Sequence, residues 1–177
     1  MKINLGCGED YKEGYVNCDN TYQIKIDKLT NLEKELPFED NSVDKIVAYH
    51  VLEHINNLVP LIKEMHRICR DGAIIKVKVP FYNSPGANTD PTHARSFSVD
   101  SFDSFSGKNN SWQIGVDKEM FSINSDIIYS TGKCIRILNP IFNIFVNLSK
   151  TTQRLYQKFL SGIIIADEIE FELRIIK

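Results

Sequence analysis

Apolar and polar positions along this chain switch between strand-like and helix-like periods, and the order of those switches predicts a mixed α/β domain. The opening run Lys2-Ile3-Asn4-Leu5 is a short apolar strand that leads straight into Gly6-Cys7-Gly8. Val16-Asn17-Cys18-Asp19 predicts a second strand ending on a carboxylate. Only residues 6–15 separate the two, too few for a crossover helix, so the first crossover reads as a single turn. Period-two alternation from Ile24 to Leu29 predicts a half-exposed edge strand, and the apolar block Lys45 to Leu52 predicts a buried central one. Residues 55–70 place Ile55, Leu58, Leu61, Ile62, Met65 and Cys69 at spacings of mostly three and four, an amphipathic helix that Asp71-Gly72 stops. Ala73 to Pro80 reads as the next strand.

From Phe81 to about Gly132 the pattern loosens into Asn, Ser, Asp, Gly and Pro with scattered aromatics. Such a stretch inside a compact domain reads as a lid or acceptor-binding insertion, about 81–132. Gly132 to Asn139 predicts a strand, Pro140 to Leu160 one long apolar helix, and Ile169 to Ile176 a terminal strand. The long helix carries more apolar residues than one stripe needs. Covering the sheet, forming a homodimer contact and cradling a greasy acceptor are all open to it.

Composition narrows the picture. A chain of 177 residues with 42% hydrophobic and 25% charged residues suits one globular domain spanning 1–177. A net charge of −2 argues against a protein built to wrap nucleic-acid phosphates. Cys7, Cys18, Cys69 and Cys134 show no paired spacing and no leader-like segment stands ahead of them, which reads as a reducing cytoplasm without structural disulfides. Ile135 to Leu148, the most apolar run, is broken by Arg136, Asn139, Pro140, Asn143 and Asn147, so no membrane span is expected.

Three motifs then fall in order: Asn4-Leu5-Gly6-Cys7-Gly8, the loop Leu36 to Asp44, and His50-Val51-Leu52-Glu53-His54. In that order they resemble class I S-adenosylmethionine-dependent methyltransferases, and the likeness runs through nearly the whole chain. The resemblance implies a doubly wound, mostly parallel seven-stranded Rossmann-like sheet with an antiparallel last strand. It implies S-adenosylmethionine as cofactor, S-adenosylhomocysteine as product and an unidentified small-molecule or peptidyl methyl acceptor. Gly6, Cys7 and Gly8 would form the loop under the methionine part of the cofactor, where a Cβ would block close backbone approach. Asp19, with Asn20 beside it, matches the ribose-binding acid, since two carboxylate oxygens can accept from both ribose hydroxyls. Asn31-Leu32 takes the place beside the adenine where relatives have an acid and a leucine, and His50 lies toward the methionine end. Asn4 stands where many relatives carry an acid. A nicotinamide dinucleotide is excluded on detail, because the third glycine of that fingerprint is replaced by Tyr11 and Asp19 comes too early.

On the acceptor side, Asn88 to Phe97 contains a D-P-T-H segment that the resemblance places after the fifth strand. His93 is the candidate general base or acceptor-orienting group, with Asp90 fixing its tautomer. Bracing the insertion is the alternative role for both. His50 and His54 are four apart, yet a metal site needs a third ligand, Glu53 is expected to point elsewhere, and no metal is expected. Cys7 has no sequence-adjacent activator and reads as a small packing residue. A catalytically degenerate cofactor-binding or assembly protein of the same fold is the competing functional reading.

Overall fold

A computed structural model describes residues 1–23, 25–107, 111–116, 118–128 and 139–177. Seven strands form one sheet: β1 (Lys2–Leu5), β2 (Val16–Asp19), β3 (Lys28–Leu29), β4 (Val43–Tyr49), β5 (Cys69–Pro80), β6 (Phe121–Ile128) and β7 (Glu168–Ile175), in spatial order β3-β2-β1-β4-β5-β7-β6. All are parallel except β7, which runs antiparallel between β5 and β6. The chain winds outward from β1 through β2 to the β3 edge, then restarts at β4 on the other side of β1. Their carboxyl ends therefore flank a topological switch point, the crevice in which open α/β sheets bind ligands.

The clipped first crossover is held by side chains instead of a helix. Asn17, fully buried, accepts from the Lys12 N–H at 2.8 Å and donates to the Lys12 and Tyr15 carbonyls, while Asn4 Nδ2 donates to the Asp10 carbonyl at 2.7 Å. Two interior amides thus satisfy turn backbone that would otherwise be buried without partners.

Helix α1 (Leu58–Ile68) buries Leu58, Leu61, Ile62, Met65 and Ile68. Its start is capped from a distance, because the Glu33 carboxylate accepts from the Asn56 and Asn57 N–H groups at 2.6 and 3.1 Å. The helix ends at Ile68, before the expected stop. Asp71-Gly72 instead forms an irregularity inside β5, where the pairing jumps from Val43↔Cys69 to Lys45↔Ile74 and Gly72 takes φ +73°. The central strand also ends early, at Tyr49, because His50 adopts φ +52° and the chain turns into a 3₁₀ segment at Leu52–His54.

The region after Pro80 differs most from the sequence expectation. It holds a short helix α2 (Pro85–Thr89), 3₁₀ turns at Asp103–Ser106 and Ser111–Ile114, and the whole of β6. Phe97, Val99, Phe102 and Phe105 are buried, and the Phe102 ring meets Phe171 of β7 edge-on at 4.7 Å. Its aromatics are core, placed on the face of the sheet that carries Ile75, Val77, Phe121, Phe171 and Leu173. The opposite face of β5 and β7 is polar, with Lys76 facing Glu172 and Lys78 facing Glu168 and Glu170.

The long helix expected over 140–160 is two helices, α3 (Asn139–Val146) and α4 (Lys150–Phe159). Ser149 caps α4 reciprocally with Thr152, and the intervening Asn147 pairs its amide with both backbone groups of Ile127 on the β6 edge. The strand expected over 132–139 lies outside the described residues apart from Asn139, which opens α3. No helix among the described residues is long and apolar enough to cross a membrane.

Candidate functional site

At the switch point the β1 end turns through Gly6 (φ +61°) and Gly8 (φ +49°). A Cβ on Gly6 would stand 2.2 Å from Val51 Cγ2, whereas one on Gly8 would meet nothing within 4 Å. Gly6 is thus required by packing and backbone, and Gly8 borders open space. Cys7 between them is buried, its N–H donating to the Cys18 carbonyl at 3.0 Å, and burial raises its thiol pKa. It supports the loop from beneath without lining the cleft.

Asp19 closes the other side. One carboxylate oxygen accepts from the Gly8 N–H at 2.9 Å and the other from the Asn20 N–H at 2.8 Å. Each oxygen keeps a further lone pair for a ligand hydroxyl. The resulting cavity, about 470 Å³, is lined by Gly6, Gly8, Asp19, Asn20, Asn31, Leu32, His50, Val51 and His54 among others. A space of that size, polar at one rim and apolar beneath, suits a nucleoside-sized ligand. Seven of the eight residues expected to hold a cofactor border it; Cys7 does not. Asn31 Oδ1 accepts from the Glu33 N–H at 2.9 Å, so a ligand can meet its second lone pair or its amino group. Asn4 is directed into the turn and away from the cavity.

His50 sits between this cavity and a second one of about 430 Å³, lined also by Glu53, His54, Asp90, His93 and Glu168. Its N–H donates to the Lys78 carbonyl at 2.8 Å, which helps hold a left-handed backbone that costs a non-glycine residue about 1–2 kcal/mol. Its ring lies 3.6 Å from the Glu53 carboxylate and 3.0 Å from Glu168, and these raise its pKa against the opposing effect of burial. Glu53 contributes most through its contact with the ring, and Glu168 adds the larger charge–charge attraction.

The D-P-T-H segment is docked on the turn after β4. Ala94 N–H donates to the Glu53 carbonyl at 2.7 Å, and Arg95 donates to the Ile55 and Asn56 carbonyls at 3.1 and 2.8 Å. Residues some forty apart in the chain are thereby clamped face to face, with the His54 and His93 rings edge-on at 4.7 Å. The tautomer of His93 is set differently from expectation. Its Nδ1 faces the Ala87 carbonyl at 3.3 Å, while Asp90 lies 3.9 Å from Nε2 and binds Thr92 through its other oxygen. Since a carbonyl only accepts, Nδ1 carries the proton. Glu53, expected to point elsewhere, instead faces both His54 and His93. Its place in the turn, not its spacing, put it there, so a helical reading of residues 50–54 missed it.

Comparison with known proteins finds likeness in sequence over part of the chain and in fold over nearly all of it. Residues 4–77 match the methyltransferase domain family. A probable S-adenosylmethionine-dependent methyltransferase of Mycobacterium tuberculosis is 28% identical over 119 residues, 55% of this chain and 43% of the relative, so the match takes in less than half of that protein's length. A solved S-adenosylmethionine-dependent methyltransferase from Archaeoglobus fulgidus superposes with a TM-score of 0.65 at 13% identity, covering 98% of this chain and 85% of the other. The YcgJ protein from Bacillus subtilis does so with a TM-score of 0.60 at 14% identity, covering 99% and 92%. Those two likenesses are of fold, while the matched stretch 4–77 contains the glycine loop, Asp19, Asn31 and His50. Residues 4–77 are thus similar to the methyltransferase domain family, and the chain as a whole shares the fold of these two solved structures.

Proposed function

We propose that the protein is an S-adenosylmethionine-dependent methyltransferase acting on an unidentified small-molecule or peptidyl acceptor. The observation that carries this reading is the Gly8 N–H to Asp19 carboxylate bond, which joins the open glycine loop to the strand-end acid across one nucleoside-sized cavity. The residues present fit the cofactor. Asp19 would hold the ribose hydroxyls, Asn31 and Leu32 the adenine, and the Gly6–Gly8 backbone and His50 the methionine end. When bound, S-adenosylmethionine supplies a methyl group activated on a sulfonium.

The protein's own part is alignment and exclusion of water. His50 and His54 border both cavities, so an acceptor in the second would approach the methionine end of the first. His93 lies on that acceptor wall with Nε2 unprotonated in its neutral form, suited to accept an acceptor proton or orient a donor group. Asp90 anchors the Thr92 turn beside it.

Calorimetric titration with S-adenosylmethionine and S-adenosylhomocysteine tests the reading. Saturable heat lost in Asp19→Ala supports it, and absence of heat together with absence of thermal stabilisation overturns it. A silent cofactor-binding or assembly protein is the second reading, favoured by Asn4 and the Asn31 oxygen being engaged within the chain. Labelled methyl appearing in any acceptor would dispose of it. We further propose a cytoplasmic location, supported by the unpaired Cys7, Cys18 and Cys69, and a homodimer through the 140–160 region. Ile144, Phe145, Leu148, Leu155 and Phe159, all more than half exposed, support the dimer.

A further inference from the structure

We propose that Glu53, His54 and His93 form a three-ligand site for one divalent transition-metal ion on the acceptor side of the cleft. One ligand atom from each residue lies within 4.8 Å of the other two. A tetrahedral ion with bonds near 2.1 Å needs its ligand atoms about 3.4 Å apart, a closure that side-chain rotation can supply.

Two independent features point to a cation. Glu53 is 2% exposed, and its Oε2 has no hydrogen-bond partner. A buried carboxylate oxygen without a partner is costly, and a cation in the cluster would satisfy it. The second feature is the arrangement of the two imidazoles. Thr92 Oγ1 gives its only proton to Asp90 at 2.6 Å, so the 2.9 Å contact between Thr92 Oγ1 and His54 Nδ1 has the histidine as donor. His93 likewise donates from Nδ1 to the Ala87 carbonyl. Each neutral ring then carries its lone pair on Nε2, with the other nitrogen tethered to an oxygen, as the rings of metal-binding histidines are. The clamps from Ala94 and Arg95 to the 53–56 backbone keep the two halves of the cluster together.

Two imidazole nitrogens and one carboxylate suit Zn²⁺, Mn²⁺ or Fe²⁺ over the oxygen-seeking Mg²⁺ and Ca²⁺. Three protein ligands leave at least one position open toward the 430 Å³ cavity. Resting on the methyl-transfer reading, this narrows the acceptor to a molecule that offers an oxygen, nitrogen or sulfur donor to the ion. The site also gives His93 a ligand role in place of free general base.

The test uses the whole chain, stripped with a chelator and titrated separately with MnCl₂, ZnCl₂ and MgCl₂, with bound metal counted by elemental analysis. The expected result is about one Mn²⁺ or Zn²⁺ per chain, bound at least ~10-fold more weakly by His93→Ala and by His54→Ala. His66→Ala, whose ring faces the Ile176 carbonyl at the far end of the sheet, should bind as the parent does. Pulsed electron paramagnetic resonance of the Mn²⁺ form should show nitrogen coupling that His93→Ala diminishes. Substoichiometric binding, equal affinity in parent and folded histidine variants, or binding of Mg²⁺ alone overturns the site. Glu53→Gln is a further probe, but a buried carboxylate can matter to folding, so the histidine variants decide. Calorimetry with S-adenosylmethionine on the same samples separates the two readings. Metal without cofactor binding sinks methyl transfer and leaves the ion site standing, and cofactor without metal does the reverse.

Discussion

The two ends of the central strands are built on opposite plans. At the amino ends of β1, β4 and β5, charged groups are matched. Arg67 makes paired hydrogen bonds to Glu64 at 2.9 and 2.8 Å and also reaches the Leu36 and Phe38 carbonyls, Arg70 joins Asp44, and Asp44 also meets the amino terminus. At the carboxyl ends, Glu53 has an oxygen without a partner and three histidines crowd two cavities, while left-handed backbone occurs at both ends, at Gly6, Gly8 and His50 here and at Asn41 and Gly72 there. One end satisfies its polar groups internally and the other leaves capacity for something from outside. An unmet hydrogen bond of this kind is capacity that a bound ligand can fill.

Substitutions can break that contrast. The largest effect is expected at Gly6→Val, where the new side chain collides with Val51 and the backbone disfavours any Cβ. Cofactor heat should vanish in calorimetry, and thermal unfolding should show a loss of about 1–3 kcal/mol. A variant that binds as the parent does would disprove the cradle. Asp19→Ala should come next, with affinity for S-adenosylmethionine falling about 10- to 100-fold as charged hydrogen bonds to the ribose are lost, and with a smaller change in stability.

Arg67→Ala probes the other end. It should lower stability by on the order of 1–3 kcal/mol through the unpaired Glu64 and buried carbonyls, while cofactor affinity stays within ~2-fold of the parent. Denaturant titration beside calorimetry checks both halves, and a large affinity loss would show the ends to be coupled.

The smallest effect is in pH. Hydrogen bonds from Arg67 lower the Glu64 pKa, and the terminal ammonium lowers that of Asp44. Folded pKa values below the unfolded ones give stability that is present above about pH 4.5 and is lost as pH falls through the folded values. His66 is lowered mainly by burial, so its share is present above its ordinary value near 6.5 and fades as pH drops below it. Unfolding midpoints measured from pH 7 to pH 3 should decline first as His66 is protonated and then through the carboxylate range, and Arg67→Ala should flatten the acidic part. An unchanged acid slope in the variant would remove Glu64 from the account.

Much of the first eighty residues was legible because their signals are local. Periodicity marked β1, β2, β4, α1 and β5, and the ten residues between β1 and β2 are by their number too few for a crossover helix. The later region was harder to read. Phe121 to Ile128 alternates only in part, with as many polar residues as apolar ones, since β6 is an edge strand with one face in water. The 140–160 helix breaks where Asn147 finds Ile127, a partner twenty residues away that no helical pattern reveals.

By itself the sequence determined the α/β order, the glycine turn after β1, the acid ending β2 and the shortened crossover, because each depends on neighbours within about ten residues. Only the tertiary structure decided that Glu53, His54 and His93 share one cluster and that Asp19 reaches back to Gly8. Those meetings depend on a left-handed turn at His50 and on hydrogen bonds between segments distant in the chain, and backbone polar groups seek such partners wherever the fold brings them.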